Sequence, residues 1–262
     1  MQRIILGRSG LDVPVMAVGT HPMAQRAPEQ GVRVLRRAFE LGATLWDTSD
    51  DYGSFPIVAR AMARVPREQL TISSKSYATG YHEGKAAVRD ALEALETTYL
   101  DIMFLHYVQS EDELAARAGC LEAFREAKLA GQVRVIALSA HTPDGLRAAL
   151  AEPDIEIVMG PWNIRGQLPD NSTLPEMSHA LQACYEAGKG VVLIKVLAAG
   201  ALFKLFDEAI RAGVRFPFKH AMNIGVQSTR ELEADLRLVL GQPVDANIIR
   251  QFREGGPWGK AA

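Results

Sequence analysis

Four residues in the first half of the chain carry side chains that could together transfer a proton: Asp47, Tyr52, Lys75 and His106. Each ends, or closely follows, a short apolar run that is typical of a β-strand. In a barrel of parallel strands, the carboxyl ends of the strands meet at one mouth, where catalytic groups sit. A carboxylate, a phenol, an ammonium and an imidazole brought together there would form a proton-donating site.

The expected chemistry follows from the four functional groups. An isolated tyrosine titrates near pH ~10 and holds its proton too tightly to be an ideal acid at neutral pH. A neighbouring Lys75 ammonium would stabilise the Tyr52 phenolate and lower the pKa of the phenol. A buried, charged Lys75 needs a partner, which Asp47 can be, and His106 can orient a substrate oxygen. Such a site would protonate a carbonyl oxygen while a cofactor supplies hydride, because no side chain provides one.

Each of these residues, taken alone, has an ordinary structural explanation. Only an alternation of strands and helices would bring all four together. Eight apolar runs predict strands at residues 15–19, 43–47, 70–75, 101–106, 133–139, 155–162, 190–196 and 221–225. Apolar residues three and four apart predict helices at 29–41, 57–65, 82–98, 111–130, 144–151, 176–187, 203–212 and 228–240. This order favours a closed (β/α)8 barrel or a doubly wound sheet, and the missing Gly-rich dinucleotide fingerprint counts against the second. Residues 4–13 predict a β-hairpin that closes the bottom of the barrel.

Composition bounds the class of protein. The 262 residues suit one barrel domain over 1–262, and a net charge of -2 gives no reason to expect a nucleic-acid partner. No apolar stretch reaches the ~18 residues that would span a membrane, and the amino terminus lacks a signal-peptide core, so a cytoplasmic location is expected. The two cysteines, Cys120 and Cys184, have no metal-ligand spacing and are expected to be reduced thiols.

Over roughly residues 4–240 the chain resembles the aldo-keto reductase superfamily. Residues 41–53 are similar to the segment with the catalytic Asp and Tyr, at the same five-residue step, and Lys75 and His106 match the other two catalytic positions. The resemblance implies a (β/α)8 TIM barrel that binds NADP or NAD at its mouth, with NADPH slightly favoured. It implies that Tyr52 donates the proton, that Lys75 and Asp47 tune it, and that His106 positions the carbonyl of a small substrate.

The resemblance also implies which residues contact ligands. The expected cofactor contacts are Gly19, Thr20, Asp47, Ser139, Lys195, Gly225, Gln227, Ser228 and Glu231. The expected substrate contacts are His21, Tyr52, Tyr77, His106, His141 and Trp162, with Arg165 as a further candidate. Met159 stands where the family has a glutamine. Glu231 aligns with an arginine often used for a 2′-phosphate, and a carboxylate there favours the 2′-hydroxyl of NAD, against the family's habit of NADPH.

Two functions from different classes remain open. The intact set of four favours an NAD(P)H-dependent reductase of small aldehydes or ketones, since a pure binder has no need of all four groups. The altered nicotinamide contacts favour a nucleotide-binding sensor or scaffold with little or no turnover, and a lyase or isomerase on a similar barrel is a third possibility. Trp258 is expected either to cover the pocket or to belong to a disordered tail.

Overall fold

The computed structural model describes residues 1–167, 170 and 172–255. Two short strands, β1 (Arg3–Ile5) and β2 (Asp12–Pro14), form an antiparallel hairpin, and eight parallel strands then close into a barrel. The barrel strands are β3 (Met16–Gly19), β4 (Leu45–Asp47), β5 (Thr71–Ser76), β6 (Leu100–Leu105), β7 (Val133–Ser139), β8 (Ile155–Pro161), β9 (Gly190–Ile194) and β10 (Ala221–Gly225). Neighbours in sequence are neighbours in the barrel, and β10 closes it by pairing with both β9 and β3. The predicted (β/α)8 barrel is confirmed.

Helices cover the outside of the barrel. They are α1 (Pro28–Glu40), α2 (Phe55–Met62), α3 (Tyr81–Ala94), α4 (Glu111–Ala116), α5 (Ala118–Leu129), α6 (Pro143–Ala151), α7 (Leu174–Glu186), α8 (Phe206–Arg215), α9 (Thr229–Val239) and α10 (Ala246–Gly255). No helix in the part of the chain described is both long and apolar enough to cross a membrane.

Alternation along the strands divides the apolar residues between two cores. In β8, Ile157 and Met159 belong to the cluster inside the barrel, whereas Val158 belongs to the cluster between strands and helices. This is the period of two expected of a strand, because successive side chains point to opposite faces. The pairing register places Gly225, Gly19 and Asp47 side by side at the carboxyl ends of their strands. These three positions, which the sequence analysis singled out for chemistry, therefore lie together at one rim of the barrel.

The amino-terminal hairpin closes the other rim, as predicted. Leu6 and Val13 are fully buried and belong to the cluster that fills the barrel interior. The Arg8 backbone amide donates to the Gly188 carbonyl at 2.8 Å, just before β9 begins. Gly7 has a φ of +53°, and a Cβ built on it would lie 2.4 Å from the Gly190 nitrogen, so the turn can approach the strand this closely only with glycine.

Several elements differ from the predictions. Helix α3 ends at Ala94 instead of at residue 98, and α8 covers Phe206–Arg215 instead of 203–212. The helix predicted over 111–130 is two helices, α4 and α5, because the chain breaks at Arg117, whose buried guanidinium turns toward the strand ends. Strand β9 stops at Ile194, since Lys195 takes a left-handed φ of 56° that a strand cannot continue. Helix α10 was not predicted, and its partly buried Ile248, Ile249 and Phe252 pack against the core.

Candidate active site

The centre of the candidate site is a buried ion pair between two adjacent strands. Asp47 ends β4 and Lys75 lies near the end of β5, and each side chain is only 1% exposed. The Lys75 Nζ donates to Asp47 Oδ2 at 2.6 Å and to the Thr48 carbonyl at 2.9 Å. The Ser73 hydroxyl donates to the second carboxylate oxygen, Asp47 Oδ1, at 2.6 Å. Both ions therefore have the partners that a buried charge requires.

Electrostatics keep Lys75 charged and Tyr52 protonated. Burial works to lower the pKa of Lys75, but Asp47 and Tyr52 outweigh it and the pKa is raised. The Lys75 Nζ lies 4.9 Å from the centre of the Tyr52 ring. Burial raises the pKa of Tyr52 by more than Lys75 lowers it. Lys75 therefore lowers the pKa of this phenol, as predicted, but the net pKa lies above its ordinary value because the ring is desolvated.

His106 follows β6, and the Arg117 side chain holds its backbone in place. The Arg117 guanidinium donates to the carbonyls of His106 and Ser76, both at 2.8 Å, and to that of Ala78 at 3.0 Å. The centre of the imidazole lies 6.1 Å from that of the Tyr52 ring. Burial, assisted by the Lys75 charge, lowers the pKa of His106 to about 3. His106 is therefore a neutral imidazole at physiological pH.

A cavity of about 570 Å³ opens at this rim and contains all four residues. It also brings together most of the residues expected to contact ligands. Of the expected cofactor contacts, the lining includes Gly19, Asp47, Ser139, Lys195, Gly225, Gln227 and Glu231; of the expected substrate contacts, it includes His21, Tyr52, Tyr77, His106 and His141. The strand ends thus place groups that are far apart in sequence around one space.

Three of the expected contacts do not line the cavity. The Thr20 side chain is buried and donates to the Asp47 carbonyl at 2.9 Å. Ser228 caps α9 by accepting from a backbone amide. The Trp162 ring packs on Phe216 on the outer side of the barrel, contrary to the prediction that it faces substrate, because it shares the outward parity of Val158 in β8. Arg165 is exposed outside the lining as well, and Trp258 lies outside the described residues.

Asn223, in β10, is a cavity residue that the sequence reasoning missed. Its Nδ2 donates to Asp47 Oδ2 at 2.6 Å, so the Asp47 carboxylate is held from three sides. Its Oδ1 is buried and has no hydrogen-bond partner among the described residues. The signal that could have found Asn223 is the one that found Asp47: a polar residue near the carboxyl end of a barrel strand.

Two carboxyl groups lie one turn apart on α9, and one of them, Glu231, lines the cavity. Glu231, on the first turn of α9, is 5% exposed and accepts from the Gln227 amide at 2.8 Å. Burial raises the pKa of Glu231 to about 7. Asp235 lies one turn further and is fully buried, with neither carboxyl oxygen bonded within the described residues. Burial, reinforced by the nearby Glu231, raises the pKa of Asp235 well above its ordinary value.

Comparison with known proteins assigns the family. The sequence model described as "Aldo/keto reductase family" matches residues 15–236, from the first barrel strand to the last strand–helix unit. The chain belongs to the aldo/keto reductase family. The soybean (Glycine max) protein named "Probable aldo-keto reductase 1" is 27% identical over 219 residues, and a Mycobacterium avium aldo-keto reductase is 30% identical over 146. These alignments cover 76% and 54% of this chain but 60% and 49% of the relatives, so the chain spans about half the length of these relatives.

Solved structures agree on the fold. An aldo-keto reductase from Bacillus halodurans, solved in its holo form, superposes with a TM-score of 0.79 over 100% of this chain and 97% of its own. The sequences are 20% identical, so this similarity concerns the fold alone.

The cavity of this member of the aldo/keto reductase family has groups that fit a nicotinamide nucleotide. A Cβ built on Gly19 would lie 2.8 Å from Asn223 Oδ1, and one built on Gly225 would lie 2.8 Å from the Pro22 ring, so bare backbone forms this wall. The unpaired Asn223 Oδ1 on the same wall would be satisfied by an amide N–H, the donor that a carboxamide presents. Gln227 and Glu231 also line the cavity and would offer polar groups to the rest of the nucleotide.

Proposed function

We propose that this aldo/keto reductase reduces a small aldehyde or ketone with hydride from NADPH or NADH, and that Tyr52 is the proton donor. The observation that carries the proposal is the buried Lys75 ammonium, which lies between the Asp47 carboxylate and the Tyr52 ring inside the main cavity. A bound nicotinamide nucleotide would supply the hydride, which no side chain provides.

The four residues have distinct tasks in this proposal. Tyr52 keeps its proton in the resting site, because burial raises the pKa of its phenol, and gives it to the carbonyl oxygen as negative charge develops there. Lys75, whose Nζ lies 4.9 Å from the centre of the Tyr52 ring, then stabilises the resulting phenolate, and Asp47 keeps Lys75 charged. His106 borders the same space and binds an oxygen of the substrate. Solvent returns the proton to Tyr52 after the product leaves.

The preference between NADPH and NADH depends on Glu231, which lines the cavity. The family's habit favours NADPH. Glu231, which faces the cavity, favours NADH instead, because an ionised carboxylate repels a 2′-phosphate and accepts a bond from a hydroxyl. With a pKa of about 7, the Glu231 carboxyl is partly ionised at neutral pH, so its effect on NADPH grows as the pH rises.

Nucleotide titration followed by a substrate panel tests this function. We expect NADPH or NADH to quench or shift protein fluorescence, and small aldehydes to be reduced by the nucleotide-loaded protein. The Tyr52→Phe variant should bind nucleotide unchanged but lose ~10²-fold or more in kcat, because it lacks the general acid. Full activity of that variant excludes Tyr52 as the donor. Nucleotide binding without turnover of any compound would favour the sensor alternative. In a sensor, the grouping of all four side chains would have no catalytic purpose.

A further inference from the structure

The hydroxyl of Ser49 connects His106 to an acidic residue at the cavity edge. Ser49 is fully buried, two residues beyond Asp47. Its Oγ lies 2.5 Å from Asp51 Oδ1 and 3.2 Å from His106 Nδ1. It also lies 3.3 Å from the Lys75 carbonyl and 3.4 Å from Asp50 Oδ1. None of these contacts follows from the roles already assigned to the four central residues.

The hydrogen bonds of the Ser49 hydroxyl determine which nitrogen of the His106 imidazole carries the proton. A serine hydroxyl has one proton to donate, and the Asp50 and Asp51 carboxylates and the Lys75 carbonyl can only accept. The shortest contact, at 2.5 Å to a charged acceptor, assigns that proton to Asp51. The Ser49 oxygen then offers a lone pair to His106, so Nδ1 must carry a proton if the 3.2 Å contact is to be a hydrogen bond.

The position of Asp51 favours the same tautomer. Its Oδ1 lies 3.8 Å from His106 Nδ1, and a negative charge at that distance stabilises a proton on the nearer nitrogen. His106 is neutral, so a proton on Nδ1 leaves none on Nε2. Within the described residues, Nε2 has no hydrogen-bond partner, and the ring lines the cavity.

We propose that Ser49 and Asp51 are positioning residues that hold His106 with its proton on Nδ1, so that Nε2 presents a lone pair to the substrate. Together with the proposed function, on which this consequence rests, the tautomer selects a class of substrate. Tyr52 donates to the carbonyl oxygen, and Nε2 accepts from a hydroxyl on the neighbouring carbon. The enzyme therefore favours 2-hydroxyaldehydes and 2-hydroxyketones over carbonyl compounds that lack this hydroxyl.

Nitrogen NMR of protein labelled with ¹⁵N-histidine reads the tautomer without any substrate. The chain has six histidines, and the His106 signals are assigned by their loss in His106→Asn. We expect the wild-type spectrum to show His106 protonated on Nδ1 and unprotonated on Nε2. In Ser49→Ala the Nε2-protonated form should appear. The control Ser74→Ala removes a buried hydroxyl that has no partner among the described residues and should leave the spectrum unchanged.

Asp50 and Asp51 provide a second matched pair. Asp51→Asn should shift the tautomer toward Nε2–H, whereas Asp50→Asn, at the longer 3.4 Å contact, should not. A wild-type His106 protonated on Nε2, or a Ser49→Ala spectrum identical to wild type, overturns the proposal. An unchanged tautomer in Asp51→Asn removes Asp51 from it.

Kinetics test the substrate class. We expect kcat/KM for 2-hydroxypropanal to exceed that for propanal by about threefold to tenfold, the value of one hydrogen bond, and the ratio to fall to about one in Ser49→Ala. Equal kcat/KM for the two aldehydes in the wild type refutes the predicted selectivity. If neither aldehyde is reduced while His106 is protonated on Nδ1, the proposed reductase function fails and the tautomer assignment stands.

Discussion

Replacement of Glu231 by glutamine should change how the stability of this protein depends on pH. Glu231 is 5% exposed, and burial moves the pKa of its carboxyl from 4.5 to about 7 in the folded protein. Below pH 4.5 the group is protonated in both the folded and the unfolded chain and carries no penalty. As the pH rises from 4.5 to about 7, the unfolded chain ionises first, so the free energy of unfolding falls.

The size of this effect follows from the shift in pKa. Each pKa unit corresponds to about 1.4 kcal/mol, so the shift from 4.5 to about 7 gives a loss of about 3 kcal/mol by pH 8. Glu231→Gln cannot ionise, and its side-chain oxygen can still accept from the Gln227 amide. The variant should therefore be more stable than the wild type at pH 8, and the advantage should shrink toward zero at pH 4.5.

Urea unfolding at several pH values between 4.5 and 8 measures this difference. Glu233→Gln is the matched control, since Glu233 lies on the same helix with a side chain 44% exposed and should show no comparable pH dependence. Asp235→Asn should reduce the remaining fall at higher pH, because Asp235 is the buried neighbour of Glu231. Parallel stability curves for wild type and Glu231→Gln would refute the assignment of a raised pKa to Glu231.

Three further outcomes are expected. The pH profile of kcat/KM should show no limb from His106 between pH 5 and 8, because its pKa is lowered to about 3; a limb near 6.5 that disappears in His106→Asn contradicts this. Lys75→Met should lower the free energy of unfolding by about 3–5 kcal/mol, since it leaves the Asp47 carboxylate buried without its cation, and adding Asp47→Asn should restore more than half; strictly additive losses in urea unfolding count against the ion pair. Gly19→Ala should weaken nucleotide binding about tenfold or more by fluorescence titration, because its Cβ would lie 2.8 Å from a side-chain oxygen on the cavity wall. Gly80→Ala, with nothing within 4 Å, is the control, and equal affinities for the two variants exclude the steric argument.

The strand-end rule predicted the parts of the site that depend on topology. Asp47, Lys75 and His106 were found because each ends or follows an apolar run, and a parallel barrel must gather such ends at one rim. Asn223 satisfies the same rule, but its bond to Asp47 joins β10 to β4 across the interior of the barrel, a pairing that no local pattern encodes. Trp162 was misplaced because the sequence reasoning did not count its parity from the inward-facing Met159.

Two other features depend on groups that are distant in sequence. The break at Arg117 between α4 and α5 depends on carbonyls of Ser76 and Ala78, which are about forty residues away, whereas the helical periodicity of 111–130 continues through it. The pKa of Tyr52 depends on how completely its ring is desolvated, and the sequence does not show how deeply the ring is buried.

The hairpin that fills one end of the barrel also has a kinetic consequence. Leu6 and Val13 pack into the side chains that fill the barrel interior, so a ligand of the cavity enters and leaves by the opposite rim. In the proposed function, the nucleotide and the carbonyl compound would share this one opening. A shared opening favours ordered binding, which product-inhibition kinetics would show as competitive inhibition by only one of the two products. The hairpin over residues 3–14 favours this order by closing the other rim.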